Sequence, residues 1–250
     1  MYSQGVAQYY DLFADAAEPG SLPEATFVRA LLPHGSSVLD IGAGTGTLAF
    51  ALAADGYKVT VLEPDVEMYA ALLVRLAGRA DLRQQLTPLP KPLGFDLGER
   101  FDACLSLAVL HLLDAPARAK MFQYAAAHLR DGGRCVVEVP VESPLREELA
   151  HQLKAERTIG ATRFQHYYSM RRTPGGRWCT TWEFLAWRHQ ESLDRRTREF
   201  DWKPSSLDEL TTLATQAGLR VDETFGGFDR SAYVEGQSRI LLAVLGRAHR

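Results

Sequence analysis

Long apolar runs are missing from this chain of 250 residues. None approaches the roughly 20 residues that a bilayer-spanning helix requires. The opening stretch, MYSQGVAQYY, has neither the positive charge nor the apolar block of a secretory leader. Cysteine is scarce. Cys104, Cys135 and Cys179 are odd in number and far apart, which excludes the usual zinc spacings and a disulfide framework. No metal site is expected, and a soluble protein of the reducing cytoplasm is. Internal repeats and low-complexity tracts are absent as well. Charge of one sign does not dominate, since the formal net charge is −3. It is unevenly spread, however: residues 154–203 hold eleven basic and six acidic side chains, leaving the remainder acidic. Such a basic stretch can draw an anionic ligand or nucleic acid, and it equally suits the solvated face of a sheet. What is plentiful is apolar content, at 46%, enough to bury a sizeable core. The length fits one α/β domain with a modest insertion.

The order of elements supports that. SLPEATFVRALLP reads as a helix opened by Ser21 and Pro23 and ended by Pro33. SSVLDIG is a short buried strand, Thr47 to Asp55 a helix stopped by Gly56, YKVTVLEP a second strand, and DVEMYAALLVRLAG a helix capped by Asp65. DLRQQL is expected as a third strand, followed by the proline- and glycine-broken loop TPLPKPLGFDLGER. FDACLSLAVL, the Asp114-capped helix PARAKMFQYAAAHLR, and RCVVEVPV complete an alternation that implies right-handed crossovers and a sheet covered on both faces.

After Val141 the period changes. SPLREELAHQLKAER is expected as a helix, and RFQHYYSMRR, RWCTTWEFLAW and RRTREFDW alternate with period two, the first two joined at TPGG. Ser206 and Glu209 then mark a capping box, and LRVDETF and SRILLAVLG close the chain. The fold class expected is a Rossmann-like, seven-stranded, mostly parallel sheet with helices on both faces, plus an antiparallel lid. Its divisions are a cap segment at residues 1–20, a core at 21–141 and 204–250, and a helix-plus-sheet lid at 142–203 that binds the acceptor.

Three glycines, Gly42, Gly44 and Gly46, follow the first strand and open a helix. Main chain cleared of side chains at the carboxyl end of a parallel strand is where ligands dock in such folds. Glu63 ends the second strand about twenty residues on, placed to accept hydrogen bonds from a ribose diol. Nicotinamide dinucleotides and S-adenosylmethionine (SAM) share this layout. The dinucleotide fingerprint wants its third glycine one residue later, where Thr47 stands, and Asp40 would repel a pyrophosphate. Asp40 suits a cofactor with an amino group and no phosphate.

These residues also carry a family likeness. VLDIGAGTG resembles motif I of class I SAM-dependent methyltransferases, and VLEPDVEM resembles their acidic second motif. GERFDACLSLAVLHLL and LRDGGRCVVEVP are similar to their fourth- and fifth-strand motifs. The resemblance covers residues 1–141 and, more loosely, 204–250. It implies SAM as cofactor, S-adenosylhomocysteine as product, and Asp40 on the methionine ammonium. Gly42, Ala43, Gly44 and Gly46 would line the methionyl and ribose parts, and Glu63 would hold the ribose. Pro64 and Met68 would pack on adenine, and Leu107 and Ala108 would lie near the methionine. The acidic residue often found after strand three is replaced by QQLTPL, which leaves Gln85 or Thr87 for adenine.

AQYYDLFAD is similar to the segment covering the cofactor pocket in small-molecule members, so Tyr10, ahead of Tyr9, is a candidate for the cofactor or acceptor. His111, just past strand four, is a candidate for proton transfer. In the insertion, Phe164, His166, Tyr168 and Met170 share one face, as do Trp178, Thr180, Trp182 and Phe184, and Phe200 with Trp202. An aromatic sheet face can roof a pocket for a ringed acceptor, or simply be the buried side of a small sheet. His166 and Tyr168 add polar groups to it. The insertion resembles lids of small-molecule N- and O-methyltransferases, and SLAVLH replaces the Asn/Asp-Pro-Pro-Tyr/Phe motif of base-modifying enzymes. The expectation is methyl transfer to nitrogen, next to oxygen or carbon, of a small ring-containing metabolite by a monomer or homodimer, with no nucleic acid or membrane partner. A SAM-binding protein without transfer and a dinucleotide oxidoreductase are the alternatives.

Overall fold

A computed structural model describes residues 5–13, 22–144 and 146–248 of the chain. The expected helix-opening Ser21 and part of the cap segment lie outside the described residues. The chain divides into two compact units, described separately.

The larger unit comprises residues 22–144 and 204–248. Its elements are α2 (Pro23–Arg29), β1 (Ser37–Ile41), α3 (Thr47–Ala54), β2 (Lys58–Leu62), α4 (Val66–Ala77) and β3 (Leu86–Leu89). Then come β4 (Phe101–Ser106), α5 (Ala115–His128), β5 (Leu129–Pro140), α6 (Leu207–Gln216), β10 (Leu219–Phe225) and β11 (Ile240–Arg247). The strands form one sheet in the order β10-β11-β5-β4-β1-β2-β3, parallel from β5 to β3, with β11 antiparallel to both neighbours. Strand order reverses between β1 and β4, the position where open α/β sheets form a ligand crevice.

Side chains alternate across this sheet as period two requires. Val38, Val59, Val61, Ala103, Leu105 and Val136 pack with Phe27 of α2, Leu52 of α3 and Leu72 of α4. Leu39, Ile41, Cys104, Cys135 and Val137 pack on the opposite side with Phe122 of α5 and Leu210 of α6. The expected caps form: the Asp65 carboxylate accepts from the N–H groups of Glu67 and Met68, and Ser206 Oγ from that of Glu209. Glu209 itself turns to Arg118, at 2.8 Å, rather than closing the box. Among the described residues no helix is long and apolar enough to cross a membrane.

One strand differs from expectation. A 3₁₀ turn at Ala80–Leu82 overlaps the start of DLRQQL, and the third strand is LTPL, residues 86–89. Pro88 is tolerated because β3 is the outer edge of the sheet, with no further strand to receive an N–H.

The smaller unit joins α1 (Ala7–Phe13) to a four-stranded antiparallel sheet of β6 (Leu149–Ile159), β7 (Thr162–Thr173), β8 (Arg177–Arg188) and β9 (Glu191–Trp202), in that order. Residues 149–157, expected inside a helix, belong to strand β6. This edge strand exposes nearly all its side chains, so apolar alternation is absent and only pairing with β7 betrays it. The β7–β8 register sets Phe164, His166, Tyr168 and Met170 opposite Ala186, Phe184, Trp182 and Thr180, so one face is aromatic as expected. Helix α1 covers part of that face: Tyr9 stacks on Phe184 with ring centroids 5.3 Å apart, and Phe13 lies 5.5 Å from His166.

Candidate functional site

The site lies in the larger unit, where the carboxyl ends of β1, β2, β4 and β5 meet the start of α3. Alternation puts Asp40, Glu63, Leu107 and Glu138 on the sheet face that α3 covers. The loop between β1 and α3 bends through Gly42, Gly44 and Gly46, with φ of +77°, +59° and +83°. Side chains rarely adopt such angles, which explains the glycines locally. Two are also crowded. A β-carbon on Gly42 would come within 2.7 Å of Val109 Cγ2, and one on Gly46 within 3.0 Å of Leu72 Cδ1. Gly44 is different, with nothing within 4 Å of the added carbon, so its bare main chain faces open space.

Two carboxylates flank that loop in different ways. Glu63 is buried, and each oxygen is occupied: Oε2 accepts the Gly44 N–H at 2.7 Å and Oε1 the Asp65 N–H at 2.8 Å. Burial raises its pKa, and the two backbone bonds pull the other way. A carboxylate can accept about four bonds, so capacity for a ribose remains. Asp40 is 4% exposed, and its carboxylate makes no hydrogen bond among the described residues. Burial, and then the Glu63 charge, push its carboxyl up to about 7. A buried carboxylate without donors is costly, and a cationic group would relieve that cost.

The loop is tied from a third side by Arg75. Its guanidinium donates to the Thr45 carbonyl at 3.1 Å and to Thr47 Oγ1 at 3.1 Å, and lies 4.7 Å over the Phe50 ring. Nothing in the sequence marks this arginine, which looks like an ordinary surface residue of an amphipathic helix. Glu138 also escaped notice. It accepts the Ala108 N–H at 2.7 Å, and its only signal was a lone acid in the apolar run RCVVEVPV.

The other expected residues divide clearly. Ala43 lies on the loop, Leu107 is half-buried at the β4 exit, and Ala108 is exposed beside it. Met68 is buried and Pro64 exposed just beyond Glu63. Gln85 is not brought to this site. It precedes β3, at the amino-terminal end of the sheet, where its carbonyl bonds the Val59 N–H. Thr87, paired with Thr60, sits mid-strand and not at a strand exit. Strand β3 starts at Leu86, several residues later than DLRQQL implies, so Gln85 and Thr87 fall before and within the strand and not at its exit. Chain leaving β3 after Leu89, whose carbonyl accepts the Glu63 N–H, takes that place.

His111 lies in a 3₁₀ turn at Leu110–Leu112, two residues beyond the Val109 that packs on Gly42. Tyr10, His166 and Tyr168 belong to the smaller unit. Tyr10 is 39% exposed and its ring lies 6.0 Å from that of Trp182, while Tyr9 is buried and donates to Asp194 at 2.6 Å. The Tyr168 hydroxyl meets Met170 Sδ at 3.4 Å. His166 stacks on Phe184 at 4.5 Å, and burial, with the Lys154 charge, brings its pKa down to about 4. A neutral imidazole so weakly basic packs this face and is poorly suited to take a proton at neutral pH.

Residues 39–135 match a family model described as a methyltransferase domain. A physcion biosynthesis cluster O-methyltransferase from Aspergillus chevalieri is 34% identical over 102 residues, 40% of this chain and 46% of that protein. A dTDP-4-amino-2,3,4,6-tetradeoxy-D-glucose N,N-dimethyltransferase from Saccharopolyspora spinosa is 29% identical over 150 residues, 55% of each chain. The match thus spans about half the length of these curated relatives. In fold, the chain is similar to the CcbJ methyltransferase from Streptomyces caelestis, with a TM-score of 0.77, 23% identity, and coverage of 99% of this chain and 98% of that one. The glycine loop and Glu63 lie inside the matched region, so residues 39–135 are similar to a methyltransferase domain, and the fold around them is that of solved methyltransferases.

Proposed function

We propose that the chain transfers a methyl group from SAM to a nitrogen, or next to an oxygen, of a small ring-containing metabolite. The observation that carries this reading is Asp40, a buried carboxylate whose pKa burial and the Glu63 charge raise to about 7, at the foot of a bare glycine loop. A dinucleotide would bring phosphate against that carboxylate, which disfavours the oxidoreductase alternative.

The residues fit the cofactor. Asp40 would take the methionine ammonium, Gly44 would let the main chain approach the adenosyl group, and Glu63 would turn its free lone pairs to the ribose. When bound, SAM supplies a methyl on a positively charged sulfur, which leaves as a neutral thioether. The protein's part is alignment, which is worth on the order of 7–11 kcal/mol at best, so a strong base is not essential. An amine acceptor must attack through its lone pair and shed one proton afterwards. Our candidate to receive it is His111, in the 3₁₀ turn that follows the β4 exit. The relatives named for an amino-sugar nitrogen and for an oxygen support a small polar acceptor.

The test is incubation with methyl-labelled SAM and a panel of small amines and phenols, with label read in the products by mass spectrometry. Label in a nitrogen-bearing product is expected. Binding of S-adenosylhomocysteine with no labelled product across the panel would favour the non-transferring alternative, and no binding at all would remove the cofactor reading.

A further inference from the structure

The exit from β4 is built in a conformation that the local sequence does not favour. Ala108 has φ of +55°, in the left-handed region where a residue with a β-carbon is strained. The two residues flanking it face the glycine loop's surroundings: Leu107 packs with the cluster on the α3 side, and Val109 fills the space left by the missing β-carbon of Gly42. Three residues further on stands His111. The corner therefore forms one wall against the glycine loop and also sets the start of the 3₁₀ turn.

Strain of this kind persists only where something holds it. Here that is the Glu138 carboxylate of β5, which accepts the Ala108 N–H at 2.7 Å. Glu138 is the acid that interrupts an otherwise apolar strand, with Val136, Val137 and Val139 buried around it. A charged acceptor on a backbone N–H is among the stronger hydrogen bonds and adds direction.

We infer that Glu138 is a positioning residue, fixing the Ala108 peptide in its left-handed turn so that Val109 closes on Gly42 and the β4 exit is preformed for the cofactor. The inference rests on the cofactor reading above. It assigns to strand five a part in shaping the site, through the backbone of strand four and with no contact of its own to the reacting atoms required.

The test uses the full chain, S-adenosylhomocysteine in calorimetry, and the Ala108 amide signal in nitrogen-edited NMR. Glu138→Ala and Glu138→Met are each expected to weaken binding about tenfold, the scale set by releasing a strained peptide. Glu138→Gln, whose amide oxygen still accepts from Ala108, should recover most of that loss. Adding Ala108→Gly to Glu138→Ala should recover most of it too, because glycine adopts positive φ freely. Unchanged affinity in both Glu138→Ala and Glu138→Met overturns the inference. So does a loss that the glycine does not recover in a double variant melting at the wild-type temperature. The amide arm needs no ligand: Ala108 N–H should exchange slowly in the wild type and rapidly in Glu138→Met, and equal rates overturn the inference. Failure of the cofactor reading looks different, since the wild type would then bind nothing while the amide still responded.

Discussion

Glu63 and Gly44 are joined by a 2.7 Å hydrogen bond from the glycine N–H to the carboxylate, tying the end of β2 to the loop that follows β1. The same carboxylate accepts the Asp65 N–H, so one side chain sets both the curve of the loop and the entry to α4. A residue expected from sequence as a ribose ligand is therefore first a brace for the backbone. Both tasks fit one carboxylate because each oxygen has two lone pairs.

Glu63→Ala should accordingly cost more than ligand contacts. It leaves two backbone donors without their acceptor, at about 1–3 kcal/mol for each one that stays buried. A lower melting temperature together with affinity for S-adenosylhomocysteine reduced at least tenfold is expected, read by calorimetry and thermal unfolding. Glu63→Gln keeps one acceptor oxygen and should fall between. Wild-type melting in Glu63→Ala would show that the two bonds do not brace the loop.

The Asp40 carboxyl gives the protein a pH dependence with a definite sign. Its pKa is about 7 in the folded chain and near 3.9 unfolded. Between those values the folded state keeps a proton that the unfolded state has released, so stability is highest below about pH 4 for this group and is lost as pH rises towards 7. Each pKa unit is worth about 1.4 kcal/mol. Asp40→Asn does not titrate, and its melting temperature should gain on the wild type as pH is raised from 5 to 8. A parallel pair of curves would show that Asp40 is not held in its protonated form. Cofactor binding has the opposite slope, because the ammonium needs the carboxylate: affinity for SAM should fall about tenfold per unit below pH 7 in the wild type only.

Arg75 holds the same loop by the carbonyl of Thr45 and the hydroxyl of Thr47. Arg75→Ala should raise the KM for SAM about tenfold, equivalent to roughly 1.4 kcal/mol, and leave kcat within a few-fold. Arg75→Lys retains a donor on a flexible stem but not the planar fork, and should recover only part of the loss. A change in kcat with KM unmoved would place Arg75 elsewhere in the chemistry.

The parts of this site that were legible in the sequence are those whose backbone demands leave a residue signature. Three glycines at positive φ, the Asp65 and Ser206 caps, and the buried apolar runs of β1, β2 and β4 are of that kind. Edge strands leave a weaker one. Strand β6 buries so little that its side chains read as a polar helix, and β3 carries a proline that an inner strand would exclude. Misreading β3 by a few residues moved the adenine candidates Gln85 and Thr87 off the strand exits. Glu138 and Arg75 act on main chain of distant segments, 30 residues away in each case. Only the folded register brings those partners together, and no local pattern encodes it.

His111 separates alignment from proton transfer. Its turn follows directly from the β4 exit, two residues beyond the Val109 that packs on Gly42. If it takes the acceptor's proton, His111→Ala should lower kcat about 10²- to 10⁴-fold, the usual span for a positioned base, while affinity for S-adenosylhomocysteine stays within threefold. The rate should then lose the limb of its pH profile that belongs to an imidazole, and added imidazole should restore part of it. Full turnover at every pH in His111→Ala would leave the reaction to alignment alone, with the acceptor's proton released directly to water.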